Sequence, residues 1–509
     1  MTDGAGMRPA LRRHGGWLAA LSGAATVAAF APWGWAPLAV LSPALLFGLW
    51  DGATPRAAFR LGFCWAVGLF LAGSWWLYVA IHDFGQAPAW LAVLLLAGLV
   101  AIMASYYGLL GWLTLRFGPG SGAWRWLLLW PAGWTLMEAL RGWLFTGFPW
   151  LEVGYAHSDN WLAAFAPLGG VHLTTLASAL TAGAVVAWVQ GGRRERCLAA
   201  AVAVLLWGGA ALLARTEWTR PAGEDLSVAL LQGAVPQDEK WQQENRAATL
   251  ELYRRLNREA LGARLIVWPE AVLPLLAHEA RDYLAAVHAE SQARGSDLLI
   301  GLLRYEFDSE RVYNGLLALS AEGSAWYDKR RLVPFGEFFP VPAFIRRWMR
   351  LMSLPYYDMS AGAADQPPLA VAGQLVGATI CYEDAYGNLQ RPVLDRATLL
   401  VNVTNNAWFG DSAAPHQQLQ MARFRAREAG RYLMRATSNG ITAVLGPDGR
   451  VLAAAPQFQP AVLRARVRPL AGLTPYARGG DWPVLGLSLA MCAVTLASGM
   501  LRRPRQKPE

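Results

Sequence analysis

Between Trp17 and Ala214 the chain runs through seven apolar stretches, at about 17–31, 35–50, 59–80, 88–115, 124–140, 162–189 and 197–214. Each is near the roughly 20 residues that a helix needs to cross the hydrocarbon of a bilayer, where every backbone polar group must be satisfied inside the segment. Such a succession excludes a water-soluble fold for this part of the chain and predicts a bundle of transmembrane helices. Composition agrees, with 54% hydrophobic and 16% charged residues, a balance too apolar for a soluble enzyme. The 25 tryptophans suit anchoring at membrane interfaces.

Positive charge alternates between the connections. Arg8, Arg12 and Arg13, then Arg56 and Arg60, then Arg116 and Arg125, then Arg193, Arg194 and Arg196 fall on one side, while the 31–36 and 80–88 connections hold no Lys or Arg. The positive-inside rule makes the first side cytoplasmic. Seven crossings then deliver residues 215 to about 480 to the opposite side, and an eighth span, 482–501, returns the chain to a tail with Arg502, Arg503, Arg505 and Lys507. Ala29-Phe-Ala31 has the look of a signal-peptide cleavage site, but the spans that follow at once favour a retained first helix. The net charge of +9 is spread over short loops rather than one face, which argues against a nucleic-acid partner. The expected division is a membrane bundle over 1–215, a polar catalytic domain over 222–472, and a last span with its tail over 480–509.

The polar region alternates helical patterns with short apolar runs at Leu226–Gly233, Leu265–Trp268, Leu298–Leu302, Leu316–Leu319, Leu375–Ile380, Leu399–Val403 and Ile441–Leu445, which predicts a layered α/β domain. Gly446-Pro-Asp-Gly449 reads as a hairpin turn. Three strand-like runs end in residues with chemistry: Glu270, Lys329 and Cys381. A cysteine in such a place is as readily a small buried hydrophobe as a nucleophile. Lys329 is one of three lysines, with Lys240 and Lys507, in a chain whose 45 basic residues are otherwise arginine; a compact ammonium at that point suits a site better than a solvated surface. Cys64, Cys197 and Cys492 fall in or beside apolar spans, so neither a disulfide framework nor a CxxC metal site is available, and no metal or cofactor is expected. A thiol is mostly protonated at neutral pH and needs a base or a cation to become a good nucleophile. Glu270 can supply the base and Lys329 the cation, with the backbone N–H of Tyr382 as a second donor to an oxyanion.

Trp268-Pro-Glu-Ala271, Tyr327-Asp-Lys-Arg-x-Leu-Val-Pro-Phe-Gly-Glu337 and Ile380-Cys-Tyr-Glu383 together resemble the three signatures of the nitrilase, or carbon–nitrogen hydrolase, superfamily. The Leu332-Val-Pro-Phe-Gly-Glu-Phe-Phe-Pro340 extension and the surrounding spans resemble the apolipoprotein N-acyltransferase family within it. That resemblance implies a polytopic helical membrane protein of about eight spans carrying an inserted αββα sandwich. It implies Glu270 as general base, Lys329 as oxyanion and thiolate stabiliser and Cys381 as nucleophile, with Glu337 supporting the lysine and Glu383 orienting the nucleophile turn. Trp408, in Asn405-Asn-Ala-Trp-Phe-Gly410, is a candidate for the acyl pocket. The implied reaction moves an acyl chain from a membrane phospholipid to the α-amine of a diacylglyceryl-cysteine at an apolipoprotein N-terminus, in the bacterial inner membrane with the catalytic domain in the periplasm. A membrane-tethered hydrolase and a non-catalytic lipid-binding scaffold are the competing readings. Phe338 to Asp358, with Arg346, Arg347 and Arg350, suits either an amphipathic arm on lipid headgroups or an ordinary insertion. Glu138 and Arg141, one helical turn apart, are a functional candidate or a self-satisfied pair near an interface.

Overall fold

The computed structural model describes residues 9–338 and 358–501, so the arm expected around Arg346, Arg347 and Arg350 lies outside the described residues. The chain divides into two compact units: Met1–Thr216 with Asp411–Gln420 and Gly479–Glu509, and Glu217–Gly410 with Met421–Arg478.

The first unit is helical. Its helices include α1 (Pro9–Thr26), α2 (Leu38–Trp50), α3 (Pro55–Gly73), α4 (Ala89–Phe117) and α5 (Trp130–Trp143), then α6 (Trp161–Gln190) and α7 (Arg193–Leu213). Among the described residues, four helices (α3, α4, α6 and α7) are long and apolar enough to cross a membrane. Leu38–Trp50 and Trp482–Ser498 are apolar but shorter. Helix α3 starts where Pro55 fixes the first helical φ and the Thr54 hydroxyl accepts from the Ala57 N–H at 3.3 Å. Without water to drive apolar faces together, helices in lipid associate by close backbone packing. That packing is visible where α1 meets α3: a Cβ on Gly23 would stand 1.8 Å from the Trp65 carbonyl oxygen, and one on Gly68 1.9 Å from that of Ala20. Around this crossing Trp65, Tyr107 and Trp134 pack ring on ring at 4.9–5.2 Å.

Glu138 and Arg141 form an ion pair with both side chains fully buried. The Tyr107 hydroxyl donates to Glu138 at 2.6 Å, and Arg141 donates to the Trp150 carbonyl at 2.9 Å. The pair therefore does more than satisfy itself near an interface: it ties α4, α5 and the loop that follows. That loop carries Phe145, Thr146 and Leu151 at positive φ, a costly backbone for non-glycine residues that survives only when its surroundings hold it.

The second unit holds two six-stranded sheets. Its strands are β1 (Leu226–Gln232), β2 (Leu265–Val267), β3 (Asp297–Glu306), β4 (Arg311–Ser320), β5 (Gly323–Asp328), β6 (Leu369–Val371), β7 (Gln374–Ile380), β8 (Leu399–Thr404), β9 (Leu433–Thr437), β10 (Ala443–Leu445), β11 (Val451–Ala454) and β12 (Ala461–Val467). One sheet runs β12-β1-β2-β3-β4-β5 and the other β11-β10-β9-β8-β7-β6. Side chains alternate sides along each strand. In β1, Leu226, Val228 and Leu230 enter a core shared with Val376, Ile380 and Val401 of the other sheet, while Ala229 and Leu231 pack under helices α8 (Arg246–Ala260) and α9 (Arg281–Gln292). Burial on both faces explains why these strands read as continuous apolar runs. Gly446-Pro-Asp-Gly449 makes the hairpin between β10 and β11, closed by the Gly446 N–H donating to Arg450 at 2.9 Å. The strand expected at Ile441 begins at Ala443, and four strands, β6, β9, β11 and β12, carry no clear apolar alternation in the sequence. Strand β9 shows why: its centre is Arg435, fully buried yet charged.

Candidate active site

β1, β2 and β3 are parallel to one another, as are β7, β8 and β9. Carboxyl ends of parallel strands are where α/β sheets place their ligands, and Glu270 and Cys381 stand just beyond such ends, while Lys329 follows the antiparallel edge strand β5.

Glu270 follows β2. The chain there stays against β3, with the Trp268 N–H donating to Leu299 at 2.8 Å and the Val272 N–H to Gly301 at 3.0 Å. A Cβ on Gly301 would lie 2.2 Å from the Pro269 oxygen and 2.7 Å from the Glu270 Cα. Only glycine lets β3 pass this close. Gly301→Ala is therefore expected to displace Glu270, slowing acyl-enzyme formation about tenfold or more and lowering unfolding stability by about 1–3 kcal/mol; single-turnover kinetics and thermal unfolding read the two effects.

The Glu270 carboxylate is 5% exposed. Its Oε1 accepts from Asn314 Nδ2 at 2.7 Å and Lys329 Nζ at 3.3 Å, and its Oε2 accepts from the Asn405 N–H at 2.7 Å. Lys329 follows β5, held by its own N–H donating to the Asn314 carbonyl at 2.8 Å. Its ammonium meets Glu337 Oε1 at 2.7 Å. Burial works against this charge, but Glu337 and Glu270 outweigh it and hold the Lys329 pKa well above the ordinary lysine value. Glu337 also accepts from Asn314 Nδ2 at 3.0 Å and, through Oε2, from the Val333 N–H at 2.8 Å.

Cys381 is the first residue after β7 and opens a short 3-10 turn, Cys381–Ala385, with its own φ at +53°. A cysteine gains nothing conformationally from the left-handed region, so the turn imposes it. The thiol is half-buried. Burial pushes its pKa up, Glu270 adds to the rise, and Lys329 pulls it down. The resting group is thus a protonated thiol among two carboxylates and an ammonium.

Glu383 joins the two loops. Its Oε1 accepts from the N–H groups of Arg330 and Arg331 at 2.7 and 3.0 Å, and its Oε2 from the Ile380 N–H and the Tyr327 hydroxyl, both at 2.8 Å. One buried carboxylate thereby clamps the residues after Lys329 to the residue before Cys381. Tyr382 sits beside Cys381 in the same turn, its hydroxyl accepting from that of Tyr386 at 3.1 Å. Trp408 stands in the Asn406–Phe409 turn after β8 and is 39% exposed.

Sequence reasoning passed over three supports. Asn314, in the middle of β4, donates one amide to both Glu270 and Glu337; asparagine is unusual in a buried strand, and that was the available signal. Asn405 reaches Glu270 through its backbone N–H, which no side-chain pattern reveals. Arg435 on β9 is ion-paired with Asp384 of the Cys381–Ala385 turn, both fully buried, and donates to Asn402 Oδ1 at 2.9 Å. Removing one member of a buried pair leaves the other charge uncompensated, so Asp384→Ala is expected to cost about 3–5 kcal/mol of unfolding free energy, measurable by thermal or denaturant unfolding.

Two family profiles match. That of the apolipoprotein N-acyltransferase N-terminal domain covers residues 22–184, and that of carbon-nitrogen hydrolase covers 227–476. The chain is 42% identical over 473 residues to an apolipoprotein N-acyltransferase of Methylococcus capsulatus, covering 92% of this chain and 93% of that one. It is 41% identical over 487 residues to the one from Chromobacterium violaceum, covering 95% and 94%. A third, from Azotobacter vinelandii, is 41% identical over 504 residues, covering 97% and 96%. The α/β sandwich is therefore a nitrilase-like carbon–nitrogen hydrolase fold, the protein is a membrane-associated acyltransferase, and the chain belongs to the apolipoprotein N-acyltransferase family.

Proposed function

We propose that Cys381 carries an acyl chain as a thioester between a membrane phospholipid and the α-amine of a diacylglyceryl-cysteine at an apolipoprotein N-terminus. The observation that supports this most is the convergence of Glu270, Lys329 and Glu337 on one buried centre whose charges act on the Cys381 thiol.

Glu270 takes the thiol proton as sulfur attacks the sn-1 ester carbonyl. Charge that builds on the carbonyl oxygen is met by the Lys329 ammonium and the Tyr382 N–H, which need not reorganise at the moment of reaction. The C–O bond breaks, Glu270 returns the proton to the departing glycerol oxygen, and lysophospholipid leaves. The acceptor amine then attacks the thioester, the C–S bond breaks, Glu270 takes the amine proton, and the thiol is restored. Glu337 keeps Lys329 charged and placed, Glu383 positions the nucleophile turn, and Trp408 borders the acyl chain. The thioester-to-amide step is downhill provided water is held back.

In this reading the chain has about eight spans, adding the shorter or less apolar segments near 17–31, 35–50, 124–140 and 482–501 to the four long helices. The bundle is 1–215, the catalytic domain 222–472 and the last span with its tail 480–509. The arginine-bearing connections lie in the cytoplasm and the catalytic domain lies in the periplasm of the bacterial inner membrane.

The test is intact-protein mass spectrometry of purified protein incubated with phospholipid alone. A hydroxylamine-labile gain of one acyl chain that needs Cys381 supports the first half-reaction, and amide product on adding a diacylglyceryl lipopeptide supports the second. Free fatty acid without amide would favour the hydrolase, and no adduct at all would sink the thioester route.

A further inference from the structure

The active centre contains a second lysine that the reaction as written does not use. Lys240 is 4% exposed. It stands in the turn after β1, where its N–H donates to the Pro236 carbonyl at 3.1 Å. The turn is pinned to the centre through Gln237, whose Oε1 accepts from Asn405 Nδ2 at 2.9 Å, while the Asn405 N–H donates to Glu270 at 2.7 Å.

Taking an ammonium out of water costs several kcal/mol unless a carboxylate compensates it. Among the described residues no carboxylate stands at ion-pair distance from Lys240; its near neighbour is the Trp241 ring, 5.7 Å from Nζ. Glu270 reaches it only through space, and burial outweighs that attraction, bringing the Lys240 pKa down to about 8. Lys329, in contrast, is matched against two carboxylates. Without Lys240 the centre would hold a surplus negative charge and repel an anionic substrate.

Resting on the acyl-donor reading above, we infer that Lys240 is the subsite for the donor's phosphodiester. Every glycerophospholipid carries that anion, separated from the sn-1 ester by the glycerol backbone. A cation that reads it must stand beside the reacting carbonyl rather than on it, and Lys240 feels the charge of Glu270 without pairing with it. The acceptor, with no phosphate and an amine that must be neutral to attack, has no use for the same contact.

The full-length protein in detergent micelles is given either dipalmitoylphosphatidylglycerol or p-nitrophenyl palmitate, an acyl donor without phosphate. Thioester formation on Cys381 is timed by intact mass in wild type, Lys240→Met and Lys240→Arg. Loss of a charged hydrogen bond predicts that Lys240→Met slows the phospholipid reaction by about ten- to a hundredfold, chiefly through KM. The ratio of phospholipid to p-nitrophenyl rates should fall by about tenfold or more, and Lys240→Arg should restore most of it. The Lys240→Met protein should melt no lower than wild type, because it loses an uncompensated buried charge. Equal slowing with both donors, or none with either, would overturn the inference. Wild type that reacts with the p-nitrophenyl ester but not with the phospholipid would instead remove the donor reading on which it rests.

Discussion

Cys381→Ala is expected to abolish both the acyl adduct and transfer to the lipopeptide, a loss of about four orders of magnitude or more, since an enzyme stripped of its nucleophile keeps only what binding and charge stabilisation provide. The same position offers a separation of activity from stability. Its φ of +53° is a backbone state that glycine adopts freely and other residues do not. Cys381→Gly is therefore expected to be equally inactive yet more stable, by about 1 kcal/mol, with thermal unfolding as the readout. A drop in stability for the glycine variant would mean that the turn imposes no strain and that packing of the sulfur matters more. The rise expected here would place the conformational cost at the one residue that needs exposure at a strand end.

Lys329→Met is the second large effect. Its ammonium lies between Glu270 and Glu337, which also share the Asn314 amide. In the proposed reaction its removal deletes an oxyanion donor, worth about a hundred- to a thousandfold in rate. It also leaves two buried carboxylates facing one another, which costs about 3–5 kcal/mol of stability. The Cys381 thiol, which Lys329 pulls down and Glu270 pushes up, should become still harder to ionise. Alkylation of Cys381 should accordingly shift to higher pH in the variant. Lys329→Met with Glu337→Gln distinguishes the two contributions: melting should recover because the second carboxylate is gone, while thioester formation stays lost. Recovery of the rate as well would show that Lys329 serves only to hold the carboxylates together.

Much of this architecture was legible in the chain. The apolar stretches of the first half announced membrane helices because hydrocarbon admits few backbone solutions. Their number was less legible, because α2 has 13 residues and α5 has 14, and length alone does not say which helix crosses a bilayer. The central strands were readable because burial on both faces makes them continuously apolar. The edges β6, β11 and β12 and the interior strand β9 were not, since a short or exposed strand carries little hydrophobic signal and Arg435 interrupts β9.

The site divides along the same line. Glu270, Lys329 and Cys381 stand at ends of readable strands, so residue type and local pattern were enough to single them out as candidates. Their meeting was not, because they lie in separate segments and belong to two different sheets. The order of strands within one sheet sets Glu270 and Lys329 at 3.3 Å and adds the Asn314 amide and the buried Lys240, and the packing of the other sheet on it brings Cys381 under their charge and recruits the Asn405 N–H. Hydrophobic pattern and residue type are local properties, so the chain alone shows which segments are apolar enough to suit a membrane and which strand ends bear candidate reactive residues. The tertiary structure decided which charges face one another and how deeply they are buried, because those depend on distances that no single segment contains.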